Sequence, residues 1–288
     1  MLSASDHCSW RGIHMGITLF SSIILNKGEL TQPPLEQPVD VALTLAMAEL
    51  KARFIDSEKG VVRYSAIRGS QEFERYQFLT RTLRPFDLRS LDTREKRLAF
   101  WINIYNTLVI HGVIELGLQH SVKECGRFFD RVAYEIGGHR FSLNEIEHGI
   151  LRGNRRQPYH LWKPFGRQDA RLEFSLQPMD PRIHFALVCG ARSCPPIGFY
   201  EAAQIDSQLQ LAAQTFINSS QVRFFTEEGL VSVSMIFNWY KADFGGTRDG
   251  LVGTFLQFLD QGENKAFLTH HRHRVRIKYH AYDWRLNQ

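Results

Sequence analysis

From Thr93 to Leu116 the sequence opens T-R-E-K and then runs L-A-F-W-I-N-I-Y-N-T-L-V-I-H-G-V-I-E-L, with only one arginine between the two parts. Thr93 can cap a helix here, and the run beyond it is apolar nearly all round a helical wheel. Such a helix has no face to give to water, so the rest of the chain must be built around it. Its polar exceptions are then informative. Asn103 and Asn106 lie three apart and share a face, and a buried amide left without partners costs about 1–3 kcal/mol. Either the two amides satisfy loop backbone or they line a pocket. His111, one turn on, is expected to be a satisfied core histidine.

A second stretch, Asp180 to Ile197 (D-P-R-I-H-F-A-L-V-C-G-A-R-S-C-P-P-I), gathers a histidine and two cysteines. Its apolar run Ile183 to Cys189, between Pro181 and Gly190, reads as a short buried strand. Pro195 and Pro196 suit the first turn of a helix, where a missing N–H costs nothing. The expected unit is strand, tight loop, helix. It sets Cys194 at a helix N-terminus, where unpaired N–H groups and the dipole would favour a thiolate.

With 43% hydrophobic and 23% charged residues, 288 residues can bury one large core or two modest ones. We expect residues 1–38 to be an N-terminal extension, poorly ordered or signal-like, and residues 39–288 to be a single domain. The apolar segment Met15 to Leu25 falls far short of the ~20 residues of a membrane span, so none is expected. Asp6 and the lack of a small-x-small cleavage pattern before Gln32 to Pro38 weigh against a signal peptide. The expected location is therefore cytoplasmic, with export by an N-terminal signal as the alternative. The formal charge of +5 is too small an excess to indicate a specific nucleic-acid partner. Cys8, Cys125, Cys189 and Cys194 make neither a disulfide framework nor a repeated C-x-x-C pair, and Rossmann and P-loop glycine patterns are absent. No cofactor is expected.

Along the chain, Val39 to Ile55 has helical spacing, Val61 to Ile67 reads as a strand, and Ser70 can cap a helix that Pro85 stops. Val132 to Ile136 and His139 to Ser142 flank Gly137-Gly138 as a β-hairpin. Ser142 and Glu145 form a capping box for a further helix. There the adjacent Glu147 and His148 should point about 100° apart and not both face one atom, with His148 equally readable as a surface residue. Residues 152–173, rich in Arg, Gln, Pro and Gly, read as a surface excursion of the kind that forms lids or rims. Tyr200 to Asn218 reads as an amphipathic helix with Ala203, Leu209, Ala212, Ala213 and Phe216 inward. A hairpin through Glu228-Gly229, a helix from Leu251 to Leu259 and a strand from Val275 to Tyr279 follow. Asp243 stands as a lone acid among aromatics. The cluster His270, His271 and His273, alternating with Arg272 and Arg274, reads as a solvated loop.

Five separated motifs occur in one order: F-W-I-N-I-Y-N from Phe100, S-L-N-E-I-E-H-G-I-L from Ser142, H-F-A-L-V-C-G-A-R-S-C-P-P from His184, W-Y-K-A-D-F-G from Trp239 and Y-D-W-R-L-N from Tyr282. Together they resemble the domain-of-unknown-function 547 family over roughly Leu43 to Asn287. Relatives in that family are joined to glutaredoxin-like or other regulatory domains, so the resemblance points toward thiol chemistry.

Three functions are consistent with these residues. The first is a cysteine-dependent hydrolase or acyl transferase acting on an unknown small-molecule or peptide substrate, with Cys194 as nucleophile. Its base is His184 or His148. A strand rising ~3.3 Å per residue would hold the two ends of His184 to Gly190 roughly 20 Å apart, which makes His148 a serious rival. Asp243, Asn103 or Asn106 would orient the imidazole and help hold an oxyanion. The second is redox or metal chemistry at Cys189 and Cys194, as a reversible disulfide or as half of a zinc site with a histidine. The third is a non-catalytic binding module with inert cysteines. The expected fold class is α+β: an N-terminal helical portion with a buried central helix, packed on a mostly antiparallel sheet that carries the Cys194 helix, papain-like in arrangement.

Overall fold

The Thr93 side chain accepts a hydrogen bond from the Lys96 N–H, and the helix Arg94–Glu115 begins there. This is seen in a computed structural model that describes residues 21–30, 37–56 and 59–288. Every residue from Leu98 to Ile114 is buried. Among the described residues this is the one helix long and apolar enough to cross a membrane, and what surrounds it is the protein's own core. The helix Val39–Phe54 packs on it and on the helix Gln71–Arg81, which Ser70 caps through the Phe73 N–H. Between them Val61–Val62 is a two-residue strand and Tyr64–Ile67 a helical turn, so the expected strand from Val61 to Ile67 is cut short.

The hairpin Val132–Ile136 with His139–Ser142 forms in the register Ala133↔Ser142 to Ile136↔His139. Gly137 and Gly138 supply the two positive φ angles its turn needs, 57° and 75°. Ile23–Ile24 adds to its outer edge in parallel. The buried Asn26 then donates to the carbonyls of Thr80 and Glu135 and accepts from the Glu135 N–H. Residues 23–26, read from sequence as part of an extension, are thus tied into the first sheet. Residues 1–20 and 31–36, where most of the signal-like and extension reading falls, lie outside the described residues.

A second apolar core gathers the helices Ile205–Ile217 and Arg248–Phe258 with a sheet of Val222–Phe225, Leu230–Ser234 and Arg276–His280. The fold class is α+β as expected, but the sheet is not one mostly antiparallel layer. Three small sheets form among the described residues. Hairpins make their neighbouring strands antiparallel, whereas the third strand of two sheets arrives from a distant part of the chain and pairs in parallel. The amphipathic helix starts at Ile205, not Tyr200, which leaves Ala203 exposed while Leu209, Ala213 and Phe216 are buried as read.

Two expectations about the central motif fail. Residues 183–189 are not a strand: Pro181–Phe185 is a short 3-10 helix, with Pro181 in its first turn and the Asp180 side chain accepting from the Arg182 N–H. The backbone beyond it pairs with a side chain instead of a neighbouring strand. Val188 N–H donates to Asn106 Oδ1, and Asn106 Nδ2 donates to the carbonyls of Ala186 and Gly198. Nor does a helix begin at Pro195; residues 195–200 are irregular, and Asn103 holds that segment through both the N–H and the carbonyl of Tyr200. Without that helix, the papain-like placement of Cys194 loses its physical basis.

Candidate functional site

The first core spans the central helix and the hairpin, the second the C-terminal sheet and its helices. Along their seam lies a cavity of about 240 Å³, bounded by Tyr105, Glu147, His148, His184, Cys189, Tyr240 and Tyr282 among others. Seams between packed units are where concave sites commonly form.

From the first core comes the helix Glu145–Leu151, entered through Ser142 and Glu145, which bond reciprocally as a capping box. It is wound as a π-helix, and the Arg152 N–H reaches back five residues to the Glu147 carbonyl. The wider turn rotates successive side chains by fewer degrees. Glu147 and His148 therefore both face the cavity, contrary to the reading from α-helical geometry, and His148 is buried. The hydroxyls of Tyr105 and Tyr240 each donate to one oxygen of Glu147. Burial pushes this carboxyl up; His148 beside it and the Tyr240 hydroxyl push it down, and the balance lies below the usual range. Glu147 is a carboxylate at neutral pH.

From the second core comes Asp243, whose side chain is wholly buried. Its carboxylate accepts from His184 Nε2 at 2.9 Å, Arg152 Nε at 2.6 Å and Arg155 Nη1 at 2.8 Å. Burial raises its pKa, but the bonds from His184 and Arg152 outweigh that and hold it well below the ordinary range. The His184 ring lies face to face with Tyr240, centroids 3.8 Å apart. Because its Nε2–H is given to Asp243, the lone pair remains on Nδ1. His148 is the opposite case. Arg152 Nη1, which can only donate, bonds to His148 Nδ1 at 2.9 Å, so the His148 proton sits on Nε2. Burial lowers the His148 pKa to about 4 and lowers that of His184 as well. Both rings are neutral at pH 7, one a base with a free lone pair and the other a donor.

Cys189 and Cys194 are joined as a disulfide, with Cα atoms 6.2 Å apart. Gly190, at φ +78°, turns the loop back so that the sulfurs meet. Cys194 Sγ accepts from the N–H groups of Cys189 at 3.0 Å and Ala191 at 3.3 Å. The Tyr282 hydroxyl lies 3.1 Å from the Cys189 sulfur and 3.3 Å from that of Cys194. The C-terminal segment locks this loop: Arg192 N–H donates to the Arg285 carbonyl, and Asn287 N–H to that of Gly190. Cys189 borders the seam cavity, whereas Cys194 borders a separate cavity with Pro195 and Pro196.

Of the residues singled out from sequence, His184, His148 and Asp243 come together in one hydrogen-bonded cluster. Cys194 lies beyond Cys189, outside the seam cavity. Asn103 and Asn106 spend their amides on loop backbone and do not border the cavity. His111 is a core residue, its Nδ1 2.7 Å from the Tyr134 hydroxyl. His270, His271 and His273 are exposed. Among the described residues no three His, Cys, Asp or Glu side chains are gathered as a metal ion would need. Sequence reasoning missed Glu147, Arg152, Tyr105, Tyr240 and Tyr282 as site residues. The signal for Glu147 was its place in an apolar segment; the others sit in aromatic or basic stretches where nothing marks them.

Residues 88–217 match a family model described as "Protein of unknown function, DUF547". No curated protein and no solved structure matches the chain. The matched segment is narrower than the span of the five motifs: it holds Glu147, His148, His184 and both bridged cysteines, while Asp243 and Tyr282 lie beyond it. Residues 88–217, which hold the central helix, the π-helix and the cysteine loop, are thus the part of this chain that is similar to the DUF547 family.

Proposed function

We propose that the protein exchanges disulfides with a thiol-bearing substrate at Cys189 and Cys194. The observation that carries this reading is the setting of the two sulfurs. Cys189 faces the cavity, and Cys194 Sγ receives two backbone N–H groups with a tyrosine hydroxyl beside it. A substrate thiolate attacks Cys189 Sγ, the Cys189–Cys194 bond breaks, and the electron pair leaves on Cys194, where those donors stabilise it. A better-stabilised leaving thiolate leaves faster and makes the disulfide a stronger oxidant. The second substrate thiolate then attacks the substrate's own sulfur in the mixed disulfide and releases Cys189. The substrate dithiol becomes a disulfide, the pair becomes a dithiol, and the two protons pass to the cysteines or to water. His184 Nδ1 is the group suited to take the first proton. A disulfide-bearing partner must reoxidise the pair for turnover. This chemistry suits an oxidising compartment, and so favours the exported alternative over cytoplasmic residence.

The test is oxidation of a reduced dithiol peptide by the full chain, followed by mass spectrometry, with Cys189→Ser and Cys194→Ser. The expected result is one peptide disulfide per chain without added oxidant, lost in both variants. A peptide that stays reduced contradicts the proposal. A second reading rests on a different observation: Cys189 shares the cavity with His184, which Asp243 holds from behind, and these are the partners a cysteine-dependent hydrolase or acyl transferase needs. There Cys189 replaces Cys194 as nucleophile, and Cys194→Ser retains ester or amide cleavage under reducing conditions.

A further inference from the structure

We propose that the loop 155–164 docks the protein on an anionic lipid surface and sets the cavity mouth against it. Among the described residues the three most exposed large apolar side chains are Tyr159, Trp162 and Leu161, at 82%, 80% and 73%. All three fall within four consecutive residues. Single exposed apolar side chains are ordinary, but a contiguous aromatic and aliphatic tip marks an interaction site.

The charge around the tip selects the partner. From Arg152 to Gln168 the chain carries Arg152, Arg155, Arg156, Lys163 and Arg167 and no acid. Arg152 and Arg155 are committed to Asp243. Arg156, Lys163 and Arg167 are exposed and flank the apolar tip. An apolar tip ringed by cations fits the interface of an anionic membrane, where tryptophan and tyrosine sit at headgroup level and each cation adds attraction.

The loop is also built to hold that tip in place. Asn154 closes its base with two bonds to the backbone of Phe165, Nδ2 to the carbonyl and Oδ1 from the N–H, both 3.0 Å. The Phe165 ring packs on Gly149 of the π-helix so closely that a Cβ there would lie 2.4 Å from it. The tip is therefore fastened to the element that carries Glu147 and His148. Gln157, Pro158 and Tyr159 form part of the cavity wall.

The experiment is co-sedimentation of the full chain with phosphatidylcholine vesicles containing 30% phosphatidylserine and with pure phosphatidylcholine vesicles, at low and high salt. The variants are Leu161→Ser/Trp162→Ser and Arg156→Glu/Lys163→Glu, each checked for unchanged far-ultraviolet circular dichroism. Binding to the anionic vesicles at least tenfold tighter than to the neutral ones, weakened by salt and lost by at least tenfold in both variants, is the expected result. Absence of binding overturns the proposal. So does binding that survives both variants, which assigns it to another part of the chain. Equal binding to neutral vesicles overturns the anionic selectivity and leaves apolar insertion of the tip as the whole of the binding.

Discussion

Two networks of buried polar groups adjoin the first core, and they differ in kind. Around His111 the ring bonds to Tyr134, whose hydroxyl meets that of Tyr76, and all three of these side chains are uncharged. Burial lowers the His111 pKa to about 3, so this network is neutral and can be left inside an apolar core at little cost. At the seam, Glu147, Asp243, Arg152 and the half-exposed Arg155 are ionised and interlocked with two neutral histidines. Burying charge is costly even when it is paired, and apolar groups would fill such a space with equal or better stability. The first network specifies packing; the second holds charge at and directly behind Glu147, His148 and His184, which border the cavity.

The largest expected effect that sharpens this comparison is on Asp243. Asp243→Ala leaves the buried Arg152 Nε–H and His184 Nε2–H without their acceptor, and should cost roughly 3–5 kcal/mol in urea unfolding. Acid comes next. His148 has an ordinary pKa of 6.5 and a folded value of about 4. The unfolded chain takes up its proton first, so stability present above pH 6.5 is lost as pH falls towards 4, by about 3 kcal/mol for this residue. His148→Gln should remove that share of the slope. Tyr134→Phe, in the neutral network, should cost about 1–3 kcal/mol by unpairing the buried His111 Nδ1. A larger loss there than in Asp243→Ala would reverse the comparison. Tyr282→Phe should change stability by only about 1 kcal/mol, since one hydroxyl is removed. Its measurable effect is slower release of Cys194 in disulfide exchange, by roughly fivefold on the same scale.

How far these regions can be read from sequence follows from how local their causes are. The central helix, the caps at Ser70 and Thr93, both hairpins and the core role of His111 are set by period, capping residues and turn glycines within a few positions. The cysteine loop is not. An apolar run such as Ile183 to Cys189 looks the same in a strand and in any other buried segment. What decides is Asn106, some eighty residues earlier, which takes the bonds a neighbouring strand would have taken. The π-winding that turns both Glu147 and His148 to the cavity likewise leaves no mark in residue spacing. Asp243, Arg152 and Tyr282 meet the histidines and sulfurs only through folding, so Asp243 was legible as a lone acid while its pairing, and the parts of Arg152 and Tyr282, were not.

The central claim is that Cys189 is the sulfur a substrate attacks and Cys194 the sulfur that leaves. It is tested most directly by trapping the mixed disulfide. Cys194→Ser and Cys189→Ser, each reduced, are exposed to oxidised glutathione and the adduct is located by mass spectrometry against time. Rapid glutathionylation of Cys189 in Cys194→Ser, with slow or no adduct at Cys194 in Cys189→Ser, is the predicted result. Rapid adduct formation at Cys194 with Cys189 left untouched would contradict it.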